Sequence, residues 1–259
     1  MRRRRLLSIA LLVAVTAIGA GGFAEAEVTA THDAVISFNS EISPRVLPRS
    51  TLVPVEVRVS GRVKRRKGRK EPASLSTLDF EITRSAVVHS HGLPVCTVPD
   101  IDPARPGQAL EACGRARVGY GRIVARSVVP GQPHFLFDGR VLLFNGRLHG
   151  RPAILVYAFN RYPPSSFVFP FTIARQRGRY GTVMRAKVDV GRWSRVVSFE
   201  LVLRRTFRDQ GRRWGYLNAS CPAPTGLNVG VAPIARARLG FGDGTQRDLT
   251  VLGACRVAR

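Results

Sequence analysis

The amino-acid sequence predicts an all-β protein: an antiparallel β-sandwich or sandwich-like barrel, stapled by two disulfides and preceded by a signal-peptide helix. Three observations carry this. Short apolar runs rich in Val, Ile, Leu and Phe recur between Gly and Pro residues, and helical periodicity is nearly absent after residue 26. About a dozen such runs with regular turn signals form the pattern of a sandwich or barrel. Four cysteines fall as two near pairs, Cys96 with Cys113 and Cys221 with Cys255.

The elements follow in order. Arg2 to Arg5 give a positive start, Leu6 to Ile18 an apolar run too short to span a bilayer comfortably, and Ala24-Glu25-Ala26 a small-x-small cleavage site. That order is a secretory signal peptide, expected to be cut after Ala26, leaving residues 27–259 as a single β-rich secreted domain with a faint internal duplication. Ala34 to Phe38 is a first strand. Leu52 to Val63 alternates, with Val55, Val57, Val59 and Gly61 on one face and Glu56, Arg58, Ser60 and Arg62 on the other. Pro54 implies an edge position at its start, because proline cannot donate to a ladder. The run Arg62, Val63, Lys64, Arg65, Arg66, Lys67, Gly68, Arg69, Lys70 reads as a solvated loop, after which Leu78 to Ile82 resumes the alternation.

Gly92 to Cys113 is turn-rich, with one short helix between Pro106 and Ala112, where proline suits the first turn. Arg117 to Val129 is the next strand region. Val141–Phe144 and Ala153–Phe159 form a hairpin joined by Asn145-Gly146-Arg147-Leu148-His149-Gly150-Arg151-Pro152, whose Asn-Gly dipeptide favours positive φ and a tight turn. Their unbroken apolar runs predict strands buried on both faces. Phe167–Ile173, Tyr180–Val190 and Val196–Arg204 extend the series. Ala235–Phe241 and Arg247–Leu252 flank a second turn signal, Gly242-Asp243-Gly244-Thr245.

Four cysteines allow three connectivities. The nearest-neighbour scheme is expected, since each pair brackets a loop-rich segment. Closing the Cys96–Cys113 loop contributes roughly 3 kcal/mol in the chain-entropy view. The spacings form no compact metal-ligand set. Disulfides imply an oxidising compartment, hence a secreted or envelope-associated protein.

The chain carries 41 Lys and Arg against 17 Asp and Glu, a net charge of +24. Such a charge attracts polyanions in a salt-sensitive way. Two clusters are the candidate binding residues. One is Arg62, Lys64, Arg65, Arg66, Lys67, Arg69 and Lys70. The other interleaves arginine with aromatic rings: Arg204, Arg205, Arg208, Arg212, Arg213 and Trp214. His89-Ser90-His91 could seed a metal site but lacks a third ligand nearby, so no metal and no cofactor is expected. Carboxylates for glycan hydrolysis would come from Asp79, Glu81, Asp100, Asp102, Glu200 or Asp243, although most acids are better explained as arginine partners. No Gly-x-Ser-x-Gly, His-Glu-x-x-His or phosphate-binding glycine loop occurs. No specific nucleic-acid motif and no membrane span beyond the leader is present. Asn218-Ala219-Ser220 matches a glycosylation acceptor by accident.

The order Leu47-Pro48-Arg49, Gly92-Leu93-Pro94-Val95-Cys96, Ala112-Cys113, Phe144-Asn145-Gly146-Arg147, Tyr180-Gly181-Thr182 and Cys221-Pro222-Ala223-Pro224 resembles a family of uncharacterised secreted bacterial proteins with two cysteine pairs. The resemblance spans most of the mature chain. It implies a shared β-rich fold and brings no activity or ligand. The expected function is that of a non-enzymatic exported protein associating with anionic envelope or extracellular polymers. A secreted glycan hydrolase using a carboxylate pair and a structural module without a ligand are the alternatives.

Overall fold

A computed structural model describes residues 27–131, 133–162, 164–188 and 194–258. The expected leader, residues 1–26, lies outside the described residues. The first strands are β1 (Glu27–Ala30), β2 (Ala34–Ser43), β3 (Val46–Leu47), β4 (Val53–Arg65), β5 (Leu75–Thr83) and β6 (Ala86–Val88). A helical excursion follows: α1 (Val98–Ile101), α2 (Pro106–Cys113) and a 3-10 turn (Gly114–Ala116). Next come β7 (Arg117–Ser127), β8 (Leu136–Leu148), β9 (Arg151–Asn160), β10 (Ser165–Arg175), β11 (Tyr180–Lys187) and β12 (Ser194–Leu203). The chain continues through β13 (Thr206–Asp209), β14 (Arg212–Gly215), β15 (Leu217–Ala219), β16 (Val229–Phe241) and β17 (Gln246–Val257).

One continuous sheet runs β1-β2-β4-β12-β7-β8-β9-β10-β11-β5-β16-β17-β3, antiparallel except for the short β17–β3 pair. Two facing sheets, as in a sandwich, are not what forms. The sheet instead curls into a half-barrel, which brings β1 and β2 beside β17, with Arg247 Nε donating to the Ala30 carbonyl at 3.4 Å. The alternation in β4 explains the curl. Val55, Val57, Val59 and Val63 face the enclosed core, while Glu56, Arg58, Ser60 and Arg62 face outward. Pro54 pairs only with β15, so the strand is an edge at its start, and it becomes internal once β2 and β12 flank it.

Strands β8 and β9 are buried on both faces, as their apolar runs predict. Leu143, Ile154 and Val156 face the interior of the curl. Leu142, Phe144, Leu155 and Tyr157 face a second core beneath α1 and α2, pinned by Cys96–Cys113. Burying each of these large side chains contributes about 2 kcal/mol. The Tyr157 hydroxyl donates to the Ala104 carbonyl at 2.5 Å, and burial pushes its phenol up to about 12.

One expectation is corrected here. Asn145 and Gly146 lie inside β8, and the chain reverses at His149-Gly150, both at positive φ. Gly146 answers a packing need instead: a Cβ there would meet Leu155 Cγ at 2.6 Å and the Cys96 carbonyl at 2.8 Å. The Asn145 amide donates to the Pro94 carbonyl at 2.9 Å, and the Asn145 carbonyl accepts from the Cys96 amide.

The two ends of the half-barrel differ. At one end β15 pairs with both β4 and β6, and Cys221–Cys255 ties the following segment to β17. The nearest-neighbour disulfide scheme is therefore the one formed. At the other end β4 and β5, far apart in the sheet order, are joined by residues 66–74, which must cross the open mouth. Pro72 is buried in this strap and Ala73 packs on the core. The Arg66 amide donates to the Asp33 carbonyl at 2.8 Å, Arg195 Nε to the Pro72 carbonyl at 2.6 Å, and the Gly242 amide to the Ser74 carbonyl at 2.8 Å.

Candidate functional site

The two basic clusters lie at opposite ends of β4. From Val53 to Arg62 the strand runs nine residues, about 30 Å at the usual rise. Arg62 lies in the strand as its alternation predicts, and Lys64 and Arg65 extend that strand past Val63 into the expected loop, which is a correction. Arg66, Lys67, Arg69 and Lys70 belong to the strap over the mouth.

At the mouth, an open pocket of about 510 Å³ is bordered by Arg62, Lys64, Arg65, Arg126 and Arg195, with Glu71 as its one carboxylate. Arg126 reaches Glu71 at 3.3 Å, and Arg65 reaches the same carboxylate at 3.5 Å. Arg62, Lys64, Lys67 and Lys70 have no acid partner among the described residues. Next to it on the outer face lies a polar groove of about 640 Å³. Arg62 and Ser198 border both spaces, and Ser37, Asn39, Ser60, Arg122 and Glu200 complete the groove. Asn39 Oδ1 accepts no hydrogen bond there. Arg122 is held by Asp138, which its guanidinium keeps below the usual carboxylate range, and Glu200 is held by Arg58 at 2.8 Å.

The second cluster is built differently. The hairpin β13–β14 pairs Phe207 with Trp214. Trp214 stacks on His89 with centroids 4.3 Å apart, and Arg212 lies over the Trp214 ring at 4.3 Å. Arg204 lies over Tyr120 at 4.9 Å, and Arg204, Arg205, Arg208, Arg212 and Arg213 are all exposed. Asp209 accepts from His91 at 2.9 Å and from His89 at 3.1 Å through the same oxygen, and these bonds hold its carboxyl below the usual range. His89 and His91 are thus carboxylate partners. The described trio of potential metal ligands within reach of one another is Cys96, Asp100 and Cys113, and its two sulfurs form a disulfide.

Each candidate hydrolytic carboxylate is engaged by a neighbouring group, Glu200 by Arg58. Asp79 pairs with Arg185 at 3.1 Å. Asp100 accepts from the Thr97 amide at 2.7 Å, Asp102 from Ser166 at 3.5 Å, and Asp243 from the Thr245 amide at 2.9 Å. Glu81 is buried beside Arg236, whose guanidinium also covers the Tyr180 ring at 4.8 Å. Burial alone would raise the Glu81 carboxyl. Hydrogen bonds from Gln176 and Arg236, with the charges of Arg236 and Arg238, outweigh it and leave the group below its ordinary value. Asn218 is fully buried, its side chain donating to the Gly215 carbonyl and accepting from the Gly215 amide, which explains why its sequon is a structural asparagine.

Sequence reading missed Glu71, Arg122, Arg126 and Arg195. Arg122 and Arg126 come from β7, Arg195 from β12 and Glu71 from the strap, and no local pattern marks them. Among the described residues, no helix is long and apolar enough to cross a membrane, and the two disulfides point to an oxidising environment. No known family model matches this chain, and neither a curated protein nor a solved structure is similar to it at a significant level.

Proposed function

We propose that this is an exported, non-enzymatic protein that associates with anionic envelope or extracellular polymers through the basic face around the mouth of the half-barrel. The observation that carries the reading is the continuity of groove and mouth pocket through Arg62. Together they form a strip in which cations outnumber acids, while serine and asparagine side chains offer hydrogen bonds to sugar hydroxyls. A polymer laid along the strip would meet charges without acid partners at Arg62 and Lys64. The Trp214 cluster supports this assignment by contrast, since Arg204 and Arg212 there are laid on rings.

Retention on phosphocellulose and cosedimentation with cell-wall polymer across a salt series test it. Two charge-matched variants separate a site from bulk charge: Arg62→Gln with Lys64→Gln, and Arg208→Gln with Arg213→Gln. The first pair should elute at clearly lower salt than the second. Equal shifts, or cosedimentation unchanged by high salt, would overturn the assignment.

A further inference from the structure

Three chain connections leave the sheet at the mouth. Leu136 pairs with Arg126, Ser165 with Asn160, and Ser194 with Ser127, so the β7–β8 connection and the β9–β10 turn lie at the end where the strap departs from β4. Large apolar side chains stand in water there. Tyr162, in the β9–β10 turn, is 78% exposed, more than any other large hydrophobic side chain among the described residues. Phe135 and Leu136, where β8 begins, are 48% and 59% exposed. Phe167 of β10 is exposed as well, and its ring meets Phe137 edge-on at 5.6 Å. A single exposed hydrophobic residue is ordinary, but a group gathered at one end of a molecule marks an interaction surface.

The same end carries cations without an acid partner among the described residues: Lys64 near the end of β4, Lys67 and Lys70 in the strap, and Arg161 beside Tyr162. Acids at this end are already engaged, Glu71 by Arg65 and Arg126, and Asp138 by Arg122. The charged and apolar surfaces adjoin. Arg126 borders both the basic mouth pocket and an open, mainly apolar pocket of about 230 Å³ lined by Phe135, Phe137 and Phe167. A hydrated polymer would meet the cations and gain nothing from the apolar tips. A bilayer containing anionic lipid meets both, offering head-group charge to lysine and arginine and an interfacial zone in which aromatic rings settle.

We propose that the mouth end of the half-barrel docks on an anionic lipid bilayer. Phe135, Leu136 and Tyr162 dip into the interfacial zone, while Lys64, Lys67, Lys70 and Arg161 meet the head groups. Neither interaction needs a chain-sized cavity inside the protein. This goes beyond polymer association and does not rest on it.

The test places a reporter at each end of the molecule. All four cysteines are paired, so one introduced cysteine can be labelled alone. Tyr162→Cys and, on the distant β13–β14 hairpin, Arg208→Cys each receive a nitrobenzoxadiazole dye in the purified full-length protein. They are then mixed with vesicles of phosphatidylglycerol and phosphatidylcholine, or of phosphatidylcholine alone. On the anionic vesicles the label at 162 should shift to the blue and brighten about twofold, and the label at 208 should stay as in water. Neutral vesicles should change neither. Phe135→Ser with Leu136→Ser, and Lys67→Gln with Lys70→Gln, should each weaken vesicle cosedimentation about tenfold. The serine pair should leave phosphocellulose retention unchanged, which separates this surface from the polymer strip. All variants share residues 1–26, so differences among them report the described surface. A label at 162 that stays in water on bound vesicles, an equal response at 208, equal binding to neutral vesicles, or undiminished binding by the serine pair would overturn the proposal. Polymer retention without vesicle binding would also overturn it and leave the polymer reading standing.

Discussion

The two ends of β4 carry the same residue type in opposite physical roles. At the mouth, Arg62 and Lys64 project from the end of β4 beside open space, and the strap adds Lys67 and Lys70 without a matching acid among the described residues. At the far end, Arg212 covers Trp214, Trp214 covers His89, and His89 shares Asp209 with His91. A guanidinium flattened on a ring gains dispersion and charge–quadrupole attraction and has less left to offer a ligand. A cation in water keeps its field for whatever approaches. Counting arginines thus says little about binding. What they lie against decides it.

Four perturbations test that contrast, beginning with the case in which an arginine is fully committed to structure. Glu81→Gln leaves Arg236 without its buried partner and should cost about 3 kcal/mol in chemical denaturation. Asp79→Asn, two residues earlier on the same strand and paired with the exposed Arg185, should cost less than about 1 kcal/mol. A small loss at Glu81 would mean that Arg236 relaxes into solvent.

Trp214→Ala should cost about 2 kcal/mol, because it removes the platform for both Arg212 and His89. If it leaves stability unchanged and weakens polymer retention instead, the roles assigned to the two ends are reversed.

The third perturbation concerns acid. Hydrogen bonds from His91 and then His89 place the Asp209 carboxyl below its unfolded value. Its contribution is therefore complete above about pH 4, the ordinary carboxylate range, and is lost as pH falls through the lower folded value. Asp209→Asn should flatten that part of the stability profile, measured by thermal melts across an acidic series, and leave polymer retention alone.

The smallest effect on stability is expected at the mouth. Lys64→Gln, Lys67→Gln and Lys70→Gln together should change it by no more than about 0.5 kcal/mol, as substitutions of solvated groups do. The same triple variant should elute from phosphocellulose at lower salt. A large loss of stability would show that the strap's charges, and not only Pro72 and Ala73, hold it across the mouth.

Much of this was legible before the fold was known. The alternation in β4 names its inward face correctly because a strand has a period of two and one side must be buried. The unbroken apolar runs of β8 and β9 anticipate two cores, one on each side. Pro106 marks the start of α2, and the disulfides join near neighbours. Asn145-Gly146 misled because a glycine that favours turns also permits close approach, and here the Cys96 carbonyl needs that space. The mouth pocket was only half visible. Arg62, Lys64 and Arg65 announce themselves by sitting together, whereas Arg126 and Arg195 join them only when β4, β7 and β12 lie side by side, and Glu71 only when the strap folds back over them.

Residue order by itself determined the class of structure: strands, their buried faces, the helical excursion and an excess of positive charge. These depend on spacing along the chain, which is local. Tertiary structure alone decided that a single sheet curls rather than folding into two layers, that residues 66–74 bridge its open end, and that one arginine cluster faces a pocket while the other rests on rings. Those outcomes depend on which distant strands become neighbours, and pairing energies between segments far apart in sequence leave no periodic trace in either one.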